Sequence, residues 1–373
     1  MLSMFRPKPP ETKQAGPSAL PLARMIAAGE EGGAPFATNV VAYRCVRMIA
    51  EGAASVPLVA CEDGAPSEGA LCRLLARPNA DQTGPQFLEA VYGQLQVHGN
   101  AYVEAVRAGG RVTALYALRP DRVQAEAGPD GWPQAYHYQA GGARRRIARA
   151  GDGFMPVLHL ALFDPASDTS GQSPLRAARL AVRTHDAACA WNEQLLANAA
   201  RPSGAVVHKG QDGLGLTGEQ FDRLKSELEA SFQGGRNAGR PMVLDGGLDW
   251  MPLGLSPAEM DFVALKDSSA RDIALAFGVP PQLLGIPGDN TYATYKEANL
   301  AFWRQAVLPL VSKTAGALGA WLGAPSEGVT YEASSVDALS SERSERLSRI
   351  VSAGFLTDAE KRVALGFAPE PSR

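Results

Sequence analysis

The six residues Gly213-Leu-Gly215-Leu-Thr-Gly218 come nearest to a nucleotide-binding pattern in this sequence. A G-x-G-x-x-G stretch can cradle a pyrophosphate when it forms a tight strand-to-helix turn, because the phosphates then meet unpaired helix N–H groups. Here the strand-like GAVVHK ends near His208, polar residues intervene before the glycines, and no βαβ rhythm follows. A loop with glycine turns fits better than a dinucleotide site. G-x-x-x-x-G-K-[ST], G-x-S-x-G and H-E-x-x-H are absent, so no NTPase, hydrolase or zinc-protease signature is present. The histidines at 98, 137, 159, 185 and 208 are scattered without metal-ligand spacing, and His159 in VLHLAL reads as a structural residue. Cys45, Cys61, Cys72 and Cys189 show no C-x-x-C spacing and read as free thiols in a reducing cytoplasm. Arg144-Arg145-Arg146 with Arg149 could contact phosphate or form an exposed basic hairpin. No catalytic constellation, metal site or cofactor is indicated, and the chain reads as a non-enzyme.

Charge narrows the partners. Among 373 residues, 36 are Lys or Arg and 39 are Asp or Glu, a formal net charge of −3. Domains that grip nucleic acid by a basic surface carry a clear positive excess, which is missing here. A protein along which DNA slides is still compatible. Hydrophobic residues make up 45%, enough to bury a core. No apolar run approaches the roughly 20 residues that span a bilayer, so no membrane partner is expected. The opening MLSMFRPKPPETKQ lacks the apolar core of a signal peptide, which predicts a protein made in the cytoplasm.

The elements that would position these residues follow from caps and periodicity. Residues 1–37, rich in Pro, Gly and Ala, read as a flexible arm. Asn39 caps a predicted helix running to Pro57, with Val41, Cys45, Met48 and Ile49 as its apolar stripe. Thr83 caps another with Pro85 in its first turn, broken at Gly99-Asn100. AYVEAV and RVTALYAL form a predicted hairpin around Gly109-Gly110, with further strands at 135–139, 145–148 and 157–162. At Ser173-Pro174 the character changes: 26 residues without Gly or Pro predict one long helix of about 40 Å. An insert over 201–254 then holds a strand, a helix opened by Thr217 and Gln220, and two strands around Asp245-Gly246-Gly247. A second long helix ends at Gly278 before Val279-Pro280-Pro281, and a third runs from about Thr294 to Leu322, bent by Pro309. VTYEAS reads as a strand, and two short helices close the chain. The fold class is α+β.

Five stretches carry a resemblance: RPN (77–79), HGNAYVEAV (98–106), SGQSPLRAA (170–178), RDIALAFGVPPQLLG (271–285) with Tyr292 and Glu297, and AGFLTDAEKRVALG (353–366). In this order, over residues 38–365, the chain resembles the portal proteins of tailed phages, in the siphophage branch. Its length and Ala-rich composition also suit a prophage or gene transfer agent. The resemblance implies an elongated subunit: 1–37 arm, 38–172 wing, 173–200 stem helix, 201–254 clip, 255–284 stem helix, 285–293 tunnel loop, 294–334 long wing helix and 335–373 crown. It implies a twelve-subunit ring at one capsid vertex that passes double-stranded DNA without sequence preference. The implied partners are terminase, the head–tail adaptor and the major capsid protein. The implied location is a virion or virus-like particle, assembled in the host bacterial cytoplasm.

On that resemblance, Asp289, Asn290, Thr291 and Tyr292 would form the tunnel loop that meets DNA. Lys209, Arg236 and Arg240 in the clip, and Lys266 in the stem, are the candidate cationic positions. Twelve copies at −3 each sum to −36, so bulk charge cannot be what attracts DNA. A lining with few cations suits a conduit, since every phosphate contact adds affinity and so drag. Two alternatives stay open at this point. One is a minor capsid or adaptor protein of the same particle. The other is a nucleotide-binding enzyme built on the 213–218 loop.

Overall fold

Asn39 opens the first long helix as its residue type predicts: its side-chain oxygen accepts from the N–H groups of Val41 (3.1 Å) and Ala42 (3.0 Å). The structure, a computed structural model, describes residues 35–63, 65–197, 204–208, 217–219, 222–223, 226, 248–252, 262–288, 291–323 and 326–365. It divides into two units, 34–182 with 270–373, and 1–33 with 183–269.

The larger unit begins with α1 (Val40–Ala54), β1 (Leu58–Glu62), β2 (Ala65–Pro66), α2 (Ala70–Ala76) and α3 (Gly84–His98). Thr83 and Gln86 form a full capping box on α3. Next come β3 (Asn100–Ala108), β4 (Arg111–Leu118), β5 (Val123–Ala127), β6 (Pro133–Ala140), β7 (Ala143–Ala148) and β8 (Val157–Ala161). Gly109 and Gly110, both at positive φ, turn β3 into β4 as the pair predicts. Strand β5 is an addition to the expected set; its VQAEA alternates, but it is short and only Val123 is a strong strand former. The orders are β4-β3-β8 and β5-β6-β7, and every strand pair among the described residues is antiparallel.

A one-turn helix, Pro174–Ala177, leads to α4 (Arg179–Ala197). One uninterrupted helix was expected here. Instead Ala178, at φ −74°, ψ −4°, departs from the helical ψ and separates the two helices, although its N–H still bonds Pro174 O four residues back at 2.9 Å. In the smaller unit β9 (Gly204–His208) pairs antiparallel with β10 (Leu248–Pro252), and Trp191 stacks on Phe262 at 5.9 Å. Most of the 201–254 insert, including the expected strand before Asp245, lies outside the described residues.

Helix α5 (Phe262–Phe277) follows, then α6 (Tyr292–Phe302), a π turn at Trp303–Val307, and α7 (Leu308–Leu322). The π turn sits where a bend was expected. Pro309 has no N–H for the carbonyl four residues back, and a wider turn accommodates its ring. Strand β11 (Glu327–Tyr331) closes on β1, with Leu58 opposite Tyr331, and α8 (Ser340–Ser352) and α9 (Asp358–Ala364) end the described chain.

The core of this unit gathers α1, α3, β3, the last turns of α5 and the start of α7. Ile49, Val91, Leu95, Val103, Ile273, Val307 and Val311 are all at least 98% covered. The expected stripe of α1 faces the core but is incomplete. Cys45 and Ile49 are buried and Val41 and Met48 pack partly buried against the core, while Ala42, Val46, Ala50 and Ala53 are buried as well. The helix is flanked by α3 on one side and approached by the π turn on another, near Gly52, so its buried arc is wider than one stripe.

Candidate functional site: the launch and turn of the long helices

The residues that begin α4 are held by a polar clasp. Helix α3 ends at Gly99, at φ +73°, and the next residue, Asn100, is buried. Its amide group donates to the carbonyls of His98 (2.9 Å) and Gly171 (3.1 Å), and its oxygen accepts from Gly171 N–H (2.8 Å). His159 Nε2 lies 2.9 Å from the same oxygen. A Cβ on Gly171 would sit 2.2 Å from Gly99 O, so only glycine permits this approach. Two residues on, buried Ser173 caps the turn through Arg176 N–H at 2.9 Å. The HGN and SGQSP stretches, 70 residues apart, are therefore two halves of one joint. His159 stacks on Tyr102 at 4.4 Å, and burial pushes its pKa down to about 4, so it is neutral near pH 7.

The chain reverses between α5 and α6. Gly278, at φ +67°, ends α5 in a Schellman motif: Gly278 N–H bonds to Leu275 O and Val279 N–H to Ala274 O. Val279 and Ala274 are buried together, which anchors the stop. Pro280-Pro281 then forces the 3₁₀ turn Pro281–Leu284, closed by Gly285 at φ +71°. The exposed Arg271 reaches along α5 to donate to the carbonyl of Pro287. Thr291 caps α6: its hydroxyl accepts from Thr294 N–H at 3.2 Å, and Thr294 Oγ1 accepts from Thr291 N–H at 2.9 Å. Tyr292, expected in the loop, is the first residue of α6, because this reciprocal cap starts the helix two residues earlier than the spacing implied.

The other sequence candidates are distributed as follows. Thr291 and Lys266 are exposed. Asp289, Asn290, Lys209, Arg236 and Arg240 lie outside the described residues. The arginine hairpin is committed internally. Arg145 makes a two-pronged contact with Glu104 (2.5 and 2.6 Å), Arg146 does so with Glu126 (2.8 Å each), Arg144 reaches Gln124, and Arg149 reaches Gly153 O. The Arg146 hydrogen bonds, aided by His137, hold Glu126 down to about 2. Of the two readings left open for this cluster, the exposed basic hairpin matches the structure, where Arg144, Arg145, Arg146 and Arg149 are all exposed. The glycine loop at 213–218 is described only at Thr217 and Gly218. The strand before it is antiparallel, whereas a dinucleotide fold needs a parallel crossover. Among the described residues no cluster of His, Cys, Asp and Glu could hold a metal ion, and no helix is long and apolar enough to cross a membrane. Asn100 and Arg271 sit in the stretches that carried the resemblance without standing out. An Asn directly after a helix-ending Gly was the available signal.

Comparison with known proteins extends over the same segments. A protein of unknown function from Rickettsia bellii is 38% identical over 345 residues, covering 89% of this chain and 87% of its own. A chain in the neck of a native gene transfer agent particle, computed with C12 symmetry, is 46% identical with a TM-score of 0.68, covering 94% of this chain and 95% of that one. The portal protein of Enterobacteria phage HK97 is 26% identical over 297 residues, 75% of this chain and 66% of the phage protein. Residues 40–366, which include the clasp, the reversal and both terminal helices, match the phage portal protein description as a whole. By that match the chain belongs to the phage portal protein family.

Proposed function

We propose that the chain is the portal subunit of a phage or gene transfer agent particle. Twelve copies form a ring at one capsid vertex, through which double-stranded DNA is packaged and later ejected. The observation that carries this reading is the 46% identity, across nearly the whole chain, to a protein in a twelvefold neck. The local geometry is consistent with it. In this reading 38–172 and 294–334 form the wing, 173–200 and 255–284 the stem, 285–293 the tunnel loop and 335–373 the crown. The clasp sets the exit of the first stem helix, and the Schellman stop with Arg271 braces the base of the tunnel loop. Asp289, Asn290 and Thr291 face the DNA, with Tyr292 at the loop's helical end. Residues 201–254 form the clip that meets terminase and then the head–tail adaptor, with Lys209, Arg236, Arg240 and Lys266 as sparse cations. The family is one of structural proteins, and a partner ATPase supplies the energy for DNA movement.

Imaging of the purified protein tests the reading. End-on rings of twelvefold symmetry, with an axial hole wide enough for a DNA duplex, are the expected result. Deleting 201–254 should leave rings but abolish packaging in a terminase-driven assay. Monomers across salt and concentration, with incorporation only onto preformed necks, would instead identify an adaptor.

A further inference from the structure

Helix α8 has 13 residues, SSERSERLSRIVS, and carries an apolar stripe that stays uncovered among the described residues. Leu347, Ile350 and Val351 fall within about 100° of arc on the helix, and Phe355 follows just past its end. Val351 is 60% exposed and Phe355 86%. Among the described side chains of 344–365, none is buried. The chief neighbours of α8 within the chain are α9 and the 3₁₀ turn Asp337–Leu339, and its first residue lacks a side-chain cap. A Ser- and Arg-rich helix of this length is marginal in water unless a packed face supports it.

We propose that this face docks on a second copy of the same chain, its neighbour in the ring; the inference rests on the portal reading above. Three observations favour a copy over another occupant. The family match runs to residue 366, so α8 and α9 lie in the part of the chain shared with portal proteins, and a related chain is assembled with C12 symmetry. Glu345, Arg346 and Arg349 on α8, with Glu360 and Lys361 on α9, mix both signs, so this face can approach another surface of the same nearly neutral chain without net repulsion. An apolar stripe also offers phosphate nothing, which disfavours DNA as the occupant. The contact is heterologous: the stripe of one copy meets a different surface of the next, and the repeat closes into a ring. A stripe apposed to itself would stop at a dimer.

The test places the photo-cross-linker p-benzoylphenylalanine at Phe355 in the full-length chain, where high exposure leaves the core untouched. On irradiation of rings, a ladder of subunit–subunit products is expected. Amides of 347–351 should exchange about tenfold or more slowly in rings than in dissociated subunits. Rings seen by microscopy that give no cross-linked dimers, or unchanged exchange, would overturn the docking proposal and leave the portal reading standing. Cross-links only to a different capsid protein would also overturn it. Absence of rings under every condition would sink both readings.

Discussion

Replacing Asn100 with Leu probes the clasp that starts α4. The change keeps side-chain volume but removes both the donor and the acceptor. Gly171 N–H and Gly171 O, paired with Asn100 at 2.8 and 3.1 Å, lose this buried partner, and His159 Nε2 loses its contact at 2.9 Å. Each buried polar group left unpaired costs about 1–3 kcal/mol, so the joint should weaken by about 3–5 kcal/mol once some relaxation is allowed. That is a large fraction of the stability of a typical domain, about 5–15 kcal/mol. The assay is native-state hydrogen exchange of the full chain, following the amides of Gly171 and Arg176, alongside denaturant unfolding. Protection at these two amides should fall by at least about a hundredfold, roughly 2.7 kcal/mol, before the rest of the core responds. A loss below about 1 kcal/mol, with the two amides still protected, would refute the view that Asn100 holds the helix start. Asn100→Asp separates the roles: its carboxylate still accepts from Gly171 and His159 but cannot donate to Gly171 O, so an intermediate loss is expected.

Three further outcomes follow from the geometry. Burial lowers His159 to about 4 from its ordinary 6.5, so between these values the unfolded chain takes up a proton that the folded chain does not. Stability contributed by neutral His159 is complete above about pH 6.5 and falls by about 3 kcal/mol as pH drops to about 4; His159→Gln should flatten that window in a pH series of denaturant melts. Gly278→Ala meets no close atom, the nearest being Ala306 Cβ at 3.8 Å, but it forces a side chain to φ +67°. A loss of about 1 kcal/mol is expected in unfolding, without a cavity or clash signature in side-chain NMR shifts. Arg271→Ala should leave global stability within about 0.5 kcal/mol while speeding exchange across 285–291, since its bond to Pro287 O is exposed and local.

Local chemistry was legible from the residues alone. Asn39, Thr83, Ser173 and Gly278 each announced a helix end, because a cap needs only the residue and its near neighbours. The Gly109-Gly110 hairpin was legible for the same reason, as positive φ at both positions is a property of glycine itself. The order of such signals, read as a resemblance, pointed to the portal family, which the match over 40–366 bears out. Partnerships at long range were not readable. Strand β1 pairs with β11 across some 270 residues, and the Asn100–Gly171 clasp joins segments 71 apart. Neither leaves a periodicity, because each partner looks ordinary in its own segment. The arginine run shows the same limit: Arg144–Arg146 with Arg149 left a phosphate contact and an exposed basic hairpin both open, and only the sheet shows Glu104 and Glu126 within reach of Arg145 and Arg146. Sequence determined where helices stop and strands turn, since those are decided within a few residues. Tertiary structure decided which polar groups are spent on one another, since that depends on where the whole chain packs.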